Sequence, residues 1–150
     1  MNELMGVALE EARNALDHDD VPVGAIVARI DSGEIVARRH NERELVGDPT
    51  AHAEVLALRD AAHVLGRWRL DDCVLVVTIE PCPMCAGAAL AARIGRVVFG
   101  APDLKAGALG SLYNLAADPR LNHEPEVVDG VRADEAAALL ADFFATRRAT

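Results

Sequence analysis

Aromatic residues are scarce: one Trp, one Tyr and three Phe make up 3% of a 150-residue chain that is 51% hydrophobic. A core must then be built from Ala, Val and Leu, which suits helices packed on a sheet. Long apolar runs are also missing. Runs such as Ala86 to Ala92 and Val74 to Val77 fall well short of the ~20 residues a membrane span needs. Met1 to Leu16 carries acids inside its apolar stretch and has no basic leader, so it does not read as a signal peptide and the expected location is cytoplasmic. Cysteine is limited to three, an odd number that makes no disulfide framework. Basic residues are outnumbered, 15 against 24 acids for a net charge of −9, which argues against a polyanionic partner across the whole surface. Residues 88–120 are the exception, with four bases and two acids.

What is present reads as one ordered domain over residues 1–150. A charged fraction of 26% and a mean hydropathy of +0.13 exclude a disordered chain, and neither a repeat nor a linker interrupts it. Leu4, Val7, Ala8, Ala12, Ala15 and Leu16 recur at helical spacing, ending in the acidic turn His18-Asp19-Asp20. Val23–Ile30 and Ile35–Arg38 form a hairpin around Asp31-Ser32-Gly33-Glu34. After a polar loop over 41–49, a helix runs from Ala51 to about Leu65, with Thr50 as its N-cap. Val74–Ile79 is an apolar strand of the buried kind. Pro81–Cys85 turns into an Ala-rich helix reaching about Ala92, and Arg96–Gly100 is the next strand. A glycine-containing loop over 101–110, a short helix at Leu112–Ala116, a strand at Glu126–Val128 and a closing helix over Asp134–Arg147 complete the chain. That closing helix carries Leu139, Leu140, Phe143 and Phe144 on its apolar side. The order predicts an α/β fold, a three-layer α-β-α sandwich around a mixed five-stranded sheet.

Two short stretches carry the chemistry: His52-Ala53-Glu54 and Pro81-Cys82-Pro83-Met84-Cys85. His52, Cys82 and Cys85 are borderline-to-soft ligands that suit Zn²⁺. Three protein ligands with one position left open is the catalytic pattern, not the closed structural one. Cys82 stands where an N-cap would and Pro83 fills the first helical position, so both sulfurs meet the positive end of a helix, which favours thiolates. Glu54, two residues from a ligand, can sit beside a metal-activated water and carry its proton. Alone, Cys-x-x-Cys also fits a redox pair. The upstream His-x-Glu, the proline flanks and the absence of a thioredoxin-like element order weigh against it. Cys73, ahead of a buried strand, reads as a small core residue. His63 lies eleven residues beyond His52, roughly 16 Å along a helix, too far to share a metal. His18 is expected in solvent, and His40 and His123 in surface loops.

The sequence resembles the bacterial tRNA-specific adenosine deaminases, a branch of the zinc-dependent cytidine deaminase superfamily. The likeness covers nearly the whole chain, through Asp20–Ala25, Asp48–Glu54, Glu80–Ala88, Arg93–Ala101, Gly107–Ser111, Leu121–His123 and Asp142–Phe144. The zinc motifs mark the superfamily, and the later segments select the tRNA branch. The resemblance implies a cytidine-deaminase-like fold and one Zn²⁺ on His52, Cys82 and Cys85, with water as fourth ligand. It implies that Glu54 shuttles protons while water attacks C6 of adenosine at the first anticodon position, releasing ammonia and leaving inosine. It further implies that Asn41 contacts the extruded base and that Asp103 lies near the RNA backbone. Lys105, Asn122, Phe143, Arg147 and Arg148 are implied contacts for other nucleotides of the anticodon loop, and the assembly is a homodimer. Departing from the pattern, Glu42 and Glu44 place acids beside Asn41. Two other readings stay open: a deaminase of a free base or nucleoside (guanine, adenine or cytosine), and a zinc-stabilised binding module without turnover.

Overall fold

A computed structural model describes residues 1–148. Helix α1 (Asn2–Asn14) runs into a 3-10 turn at Ala15–His18 and is followed by the hairpin β1 (Gly24–Arg29) and β2 (Ile35–His40). A one-turn helix α2 (Arg43–Val46) precedes α3 (Ala53–Leu65). Then come β3 (Cys73–Ile79), α4 (Pro83–Ala91), β4 (Arg96–Ala101), a 3-10 turn at Leu115–Ala117, β5 (Glu126–Val128) and α5 (Ala133–Arg148). The sheet order is β2-β1-β3-β4-β5. β1 is antiparallel to both β2 and β3, whereas β3–β4 and β4–β5 are parallel. The mixed five-stranded sheet is as the sequence predicts.

Alternation along the strands sends side chains to two separate cores. Ile26, Ala28, Val74, Val76 and Val98 pack with Met5, Ala8 and Leu9 of α1 and Ala136 of α5. Ala25, Val27, Leu75, Val77, Val97 and Phe99 pack with Ala53, Ala57 and Ala61 of α3 and Ala86 and Ala89 of α4. Small alanines let the helices lie close to the sheet. Gly24 takes this furthest, because a Cβ there would overlap the Ala8 carbonyl of α1. Cys73 is fully buried, as expected of a core residue, and burial and Asp72 push its thiol up to about 11.

Several local expectations are corrected. The buried stripe of α1 is Met5, Ala8, Leu9 and Ala12, and Leu16 is exposed because the chain has left the α-helix by then. Thr50 does not cap α3. Its amide and hydroxyl both donate to Asp48 Oδ1 at 2.8 Å, and the helix begins later, with His52 in extended conformation at its N-cap. The polar loop holds α2, whose Glu44 and Leu45 amides donate to the Asp20 carboxylate at 2.8 and 3.1 Å. Leu112–Ala116 shrinks to the 3-10 turn. In α5, Leu139 and Leu140 pack half-buried against the two cores beside the buried Ala136, as expected, whereas Phe144 is 44% exposed.

Candidate metal centre and cleft

β3 and β4 run parallel, and the segments leaving their carboxyl ends open a crevice of the kind that holds ligands in α/β sheets. Two helices begin there. Cys82, extended at φ −73° and ψ 173°, is the N-cap of α4, with Pro83 at its first position and Cys85 one turn in. His52 is the N-cap of α3, and Glu54 follows in its first turn. His52 Nδ1 lies 3.4 Å from Cys85 Sγ and 3.7 Å from Cys82 Sγ. All three donor atoms fall within 4.8 Å of one another, the one such group among the described residues. A tetrahedral Zn²⁺ with ordinary bond lengths sets its nitrogen and sulfur ligands about 3.6 Å apart. One nitrogen and two sulfurs therefore fit a zinc ion in both chemistry and spacing.

Electrostatics at the site follow from contact and burial. Cys85 donates its S–H to Cys82, and although burial opposes ionisation, that contact and His52 bring Cys82 down to about 4. The same contact, with burial, pushes Cys85 up. Cys82 holds the His52 imidazolium and raises its proton affinity against the effect of burial, with help from the charge of Glu54. Glu54 is 3% exposed, and desolvation raises its carboxyl above the usual range.

A cleft of about 640 Å³ opens over these groups, lined by His52, Glu54 and Cys82 on its floor and by Asn41, Asp103 and Lys105 on its walls. Asn41 follows the last residue of β2, and its Oδ1 accepts the Ala53 amide at 2.9 Å, supplying from outside the cap that α3 lacks locally. Asp103 Oδ1 accepts the amides of Lys105 and Ala106, each at 3.1 Å. Asn122 is exposed in a bend and is not among the residues lining the cleft. Phe143 lies outside it too. Its ring sits 4.3 Å under the Arg147 guanidinium and meets Phe144 edge-on, and Phe144 reaches the cleft instead. The side chain of Arg148 lies outside the described residues.

Two further residues line the cleft whose roles the sequence motifs do not state. Arg43, on α2, faces the cleft. Glu80, 2% exposed, accepts the amides of Asp103, Leu109 and Ser111 at 3.0–3.1 Å and the Ser111 hydroxyl. Burial alone would raise its carboxyl, yet these donors hold it below the usual range. The loop forming one wall of the cleft is thus wound around a single carboxylate, and Gly107 passes so close that a Cβ would overlap it. A charged residue closing the apolar run Val74–Ile79 was the available clue. The histidines also differ from expectation. His18 and His40 are mostly buried and bonded to each other, and His123 contacts the Ile94 carbonyl at 2.6 Å.

Fold and site together define a deaminase: the model of the MafB19-like deaminase family matches residues 1–148. A tRNA-specific adenosine deaminase of Bacillus subtilis is 47% identical over 140 residues, 93% of this chain and 86% of the relative. A solved structure from work on A-to-I editing by tRNA:A34 deaminases at the wobble position of transfer RNA superposes with a TM-score of 0.89. It is 41% identical and covers 93% of this chain and all of its own. A tRNA(Ile)-lysidine synthase of Deinococcus radiodurans is 54% identical over 96% of this chain, which spans only 24% of that longer protein. The chain belongs to the tRNA-specific adenosine deaminases within this deaminase family. No helix among the described residues is long and apolar enough to cross a membrane.

Proposed function

We propose that this protein hydrolyses the exocyclic amine of adenosine at the first anticodon position of a tRNA, leaving inosine and releasing ammonia. The observation that carries the reading is the convergence of His52, Cys82 and the buried Cys85, with His52, Cys82 and Glu54 lining an open cleft and Glu54 two residues from His52. His52, Cys82 and Cys85 would hold Zn²⁺, and when bound the ion supplies the Lewis acidity that makes water a nucleophile near neutral pH. Glu54 takes one proton of the attacking water and passes it to the ring nitrogen beside C6, where it stays. It then carries the second, from the hydroxyl added at C6, to the departing amine so that it leaves as ammonia. Desolvation suits Glu54 to this, because it raises the carboxylate's affinity for the proton it must take up. Asn41, whose oxygen is spent on α3, keeps its NH₂ group for a base in the cleft. The open mouth, with Arg43 and Lys105 on its rim, accommodates a base turned out of a loop, where unstacking costs least. Kinship with tRNA-specific deaminases supports RNA over a free base.

The working unit is a homodimer in the cytoplasm. Leu104, Leu112 and Tyr113, in and beside the wall loop, are 76, 54 and 59% exposed, apolar side chains that a second copy of the chain would cover.

Zinc-loaded protein incubated with an anticodon stem-loop bearing A at the first position should yield inosine in the nucleoside digest. Glu54→Ala should lower turnover by about 10²–10⁴-fold. Absence of inosine, or equal yield from the variant, overturns the reading.

A further inference from the structure

Behind the α2 side of the cleft runs a line of titratable side chains that the proposed chemistry does not use. His18 Nδ1 lies 2.7 Å from Asp20 Oδ2, His18 Nε2 lies 3.1 Å from His40 Nε2, and His40 Nδ1 lies 2.9 Å from Glu11 Oε1. Beyond Glu11, Arg38 donates to its second oxygen at 2.7 Å and reaches Glu10 at 3.5 Å. All four central groups are largely withdrawn from water, with side-chain exposures of 16% for His18, 19% for His40, 2% for Asp20 and 10% for Glu11.

Counting protons fixes the state of this line. Burial opposes ionisation of Glu11 and Asp20, yet their hydrogen bonds hold both carboxyls below the usual range, so each only accepts. Each Nδ1 must then carry a hydrogen, and the two Nε2 atoms can approach to 3.1 Å only with one hydrogen between them. Four ring nitrogens hold three protons, and the pair carries one positive charge between two carboxylates. A fourth proton would set N–H against N–H. Loss of the third would set two lone pairs face to face.

The line ends on the cleft at both sides. Asp20 accepts the Glu44 and Leu45 amides and so holds α2, which carries Arg43. His40 is the last residue of β2, next to Asn41, which caps α3 at Ala53. We propose that His18 and His40 share a single proton and act as a positioning pair, keeping α2 and Asn41 in register for RNA only while that proton is present. The inference deepens the proposed function and rests on it for its effect on RNA. Other charges facing the pair are Arg38 and Glu10 from β2 and α1, Arg43 and Glu44 from α2, and Asp19, which Arg147 of α5 holds at 3.3 Å. A groove of about 590 Å³ beside His18 admits solvent and is lined also by Arg43 and Phe144 of the cleft. Rising pH therefore removes the shared proton, one ring lets go of its carboxylate or its partner, and binding weakens while chemistry at Glu54 does not.

Two measurements test this. In imidazole ¹⁵N spectra of the wild-type protein from about pH 5 to about pH 9, His18 and His40 should titrate in two separated steps that both rings register. In His40→Gln, His18 should revert to a single step. Independent single steps in the wild type overturn the shared proton, whether or not the protein acts on RNA. In turnover of the anticodon stem-loop, KM should rise severalfold as the proton leaves, and His18→Gln/His40→Gln should hold KM flat with pH while its kcat profile follows the wild type. A flat wild-type KM, or an unchanged slope in the double variant, overturns the positioning role. A second zinc ion per chain, lost in the double variant, would overturn the proposal as well, since a metal would then stand where the proton is placed.

Discussion

Asn41 Oδ1 accepts the Ala53 amide at 2.9 Å, so the end of β2 anchors the helix start that presents His52 and Glu54. Asn41→Ala removes this cap and should cost about 1 kcal/mol of stability. Asn41→Asp keeps the acceptor and should unfold at the wild-type temperature, yet lose activity because the NH₂ group is gone. Thermal unfolding paired with stem-loop turnover separates the two roles.

Metal uptake should release protons. Cys85 keeps its hydrogen and His52 gains proton affinity in the metal-free protein, and both must give up protons to bind an ion. Affinity for zinc should therefore fall as the pH is lowered, as competition against a coloured chelator would show. His52→Ala, Cys82→Ser and Cys85→Ser should each reduce the metal content well below one per chain, and chelation of the wild type should abolish turnover reversibly.

Glu80 makes the wall loop sensitive to acid. Its carboxyl sits below the usual range in the folded protein, so its contribution is complete above the unfolded value of about 4.3 and is lost as the pH falls through the folded one. Glu80→Gln sets an NH₂ group against amide donors and should cost about 2–3 kcal/mol at neutral pH. In urea unfolding, its gap from the wild type should narrow as the pH falls below the unfolded value. Gly107→Ala should be destabilising at every pH, because the added methyl overlaps a carboxylate already bound by three amides and a hydroxyl.

Lys105 supplies one of the positive charges on a predominantly acidic surface. Lys105→Gln should weaken stem-loop binding equally for all loop sequences and reduce the slope of log affinity against log salt by about 0.7. Titrations at three or more salt concentrations would measure it.

The strands and the grouping of His52, Cys82 and Cys85 are readable because their signals are local. Val74–Ile79 is apolar except at Thr78, and Cys82-Pro83 states a helix start in two adjacent residues. Polar contacts over long sequence distances leave no such period. The cap of α3 comes from Asn41, twelve residues upstream, not from the adjacent Thr50. The donors to Glu80 lie 23–31 residues beyond it. An acidic turn predicts water around His18, whereas its partner, His40, arrives on the second strand of the hairpin.

The sulfurs and the imidazole stand on the two helices that flank β3 in the chain, thirty residues apart at their nearest. They meet across β3, which lies between β1 and β4. An ion held by all three would tie the starts of α3 and α4 to each other. With no ion bound, Cys82, ionised and lining the cleft, would be open to oxidants, and the cell's thiol balance would govern how many chains are active.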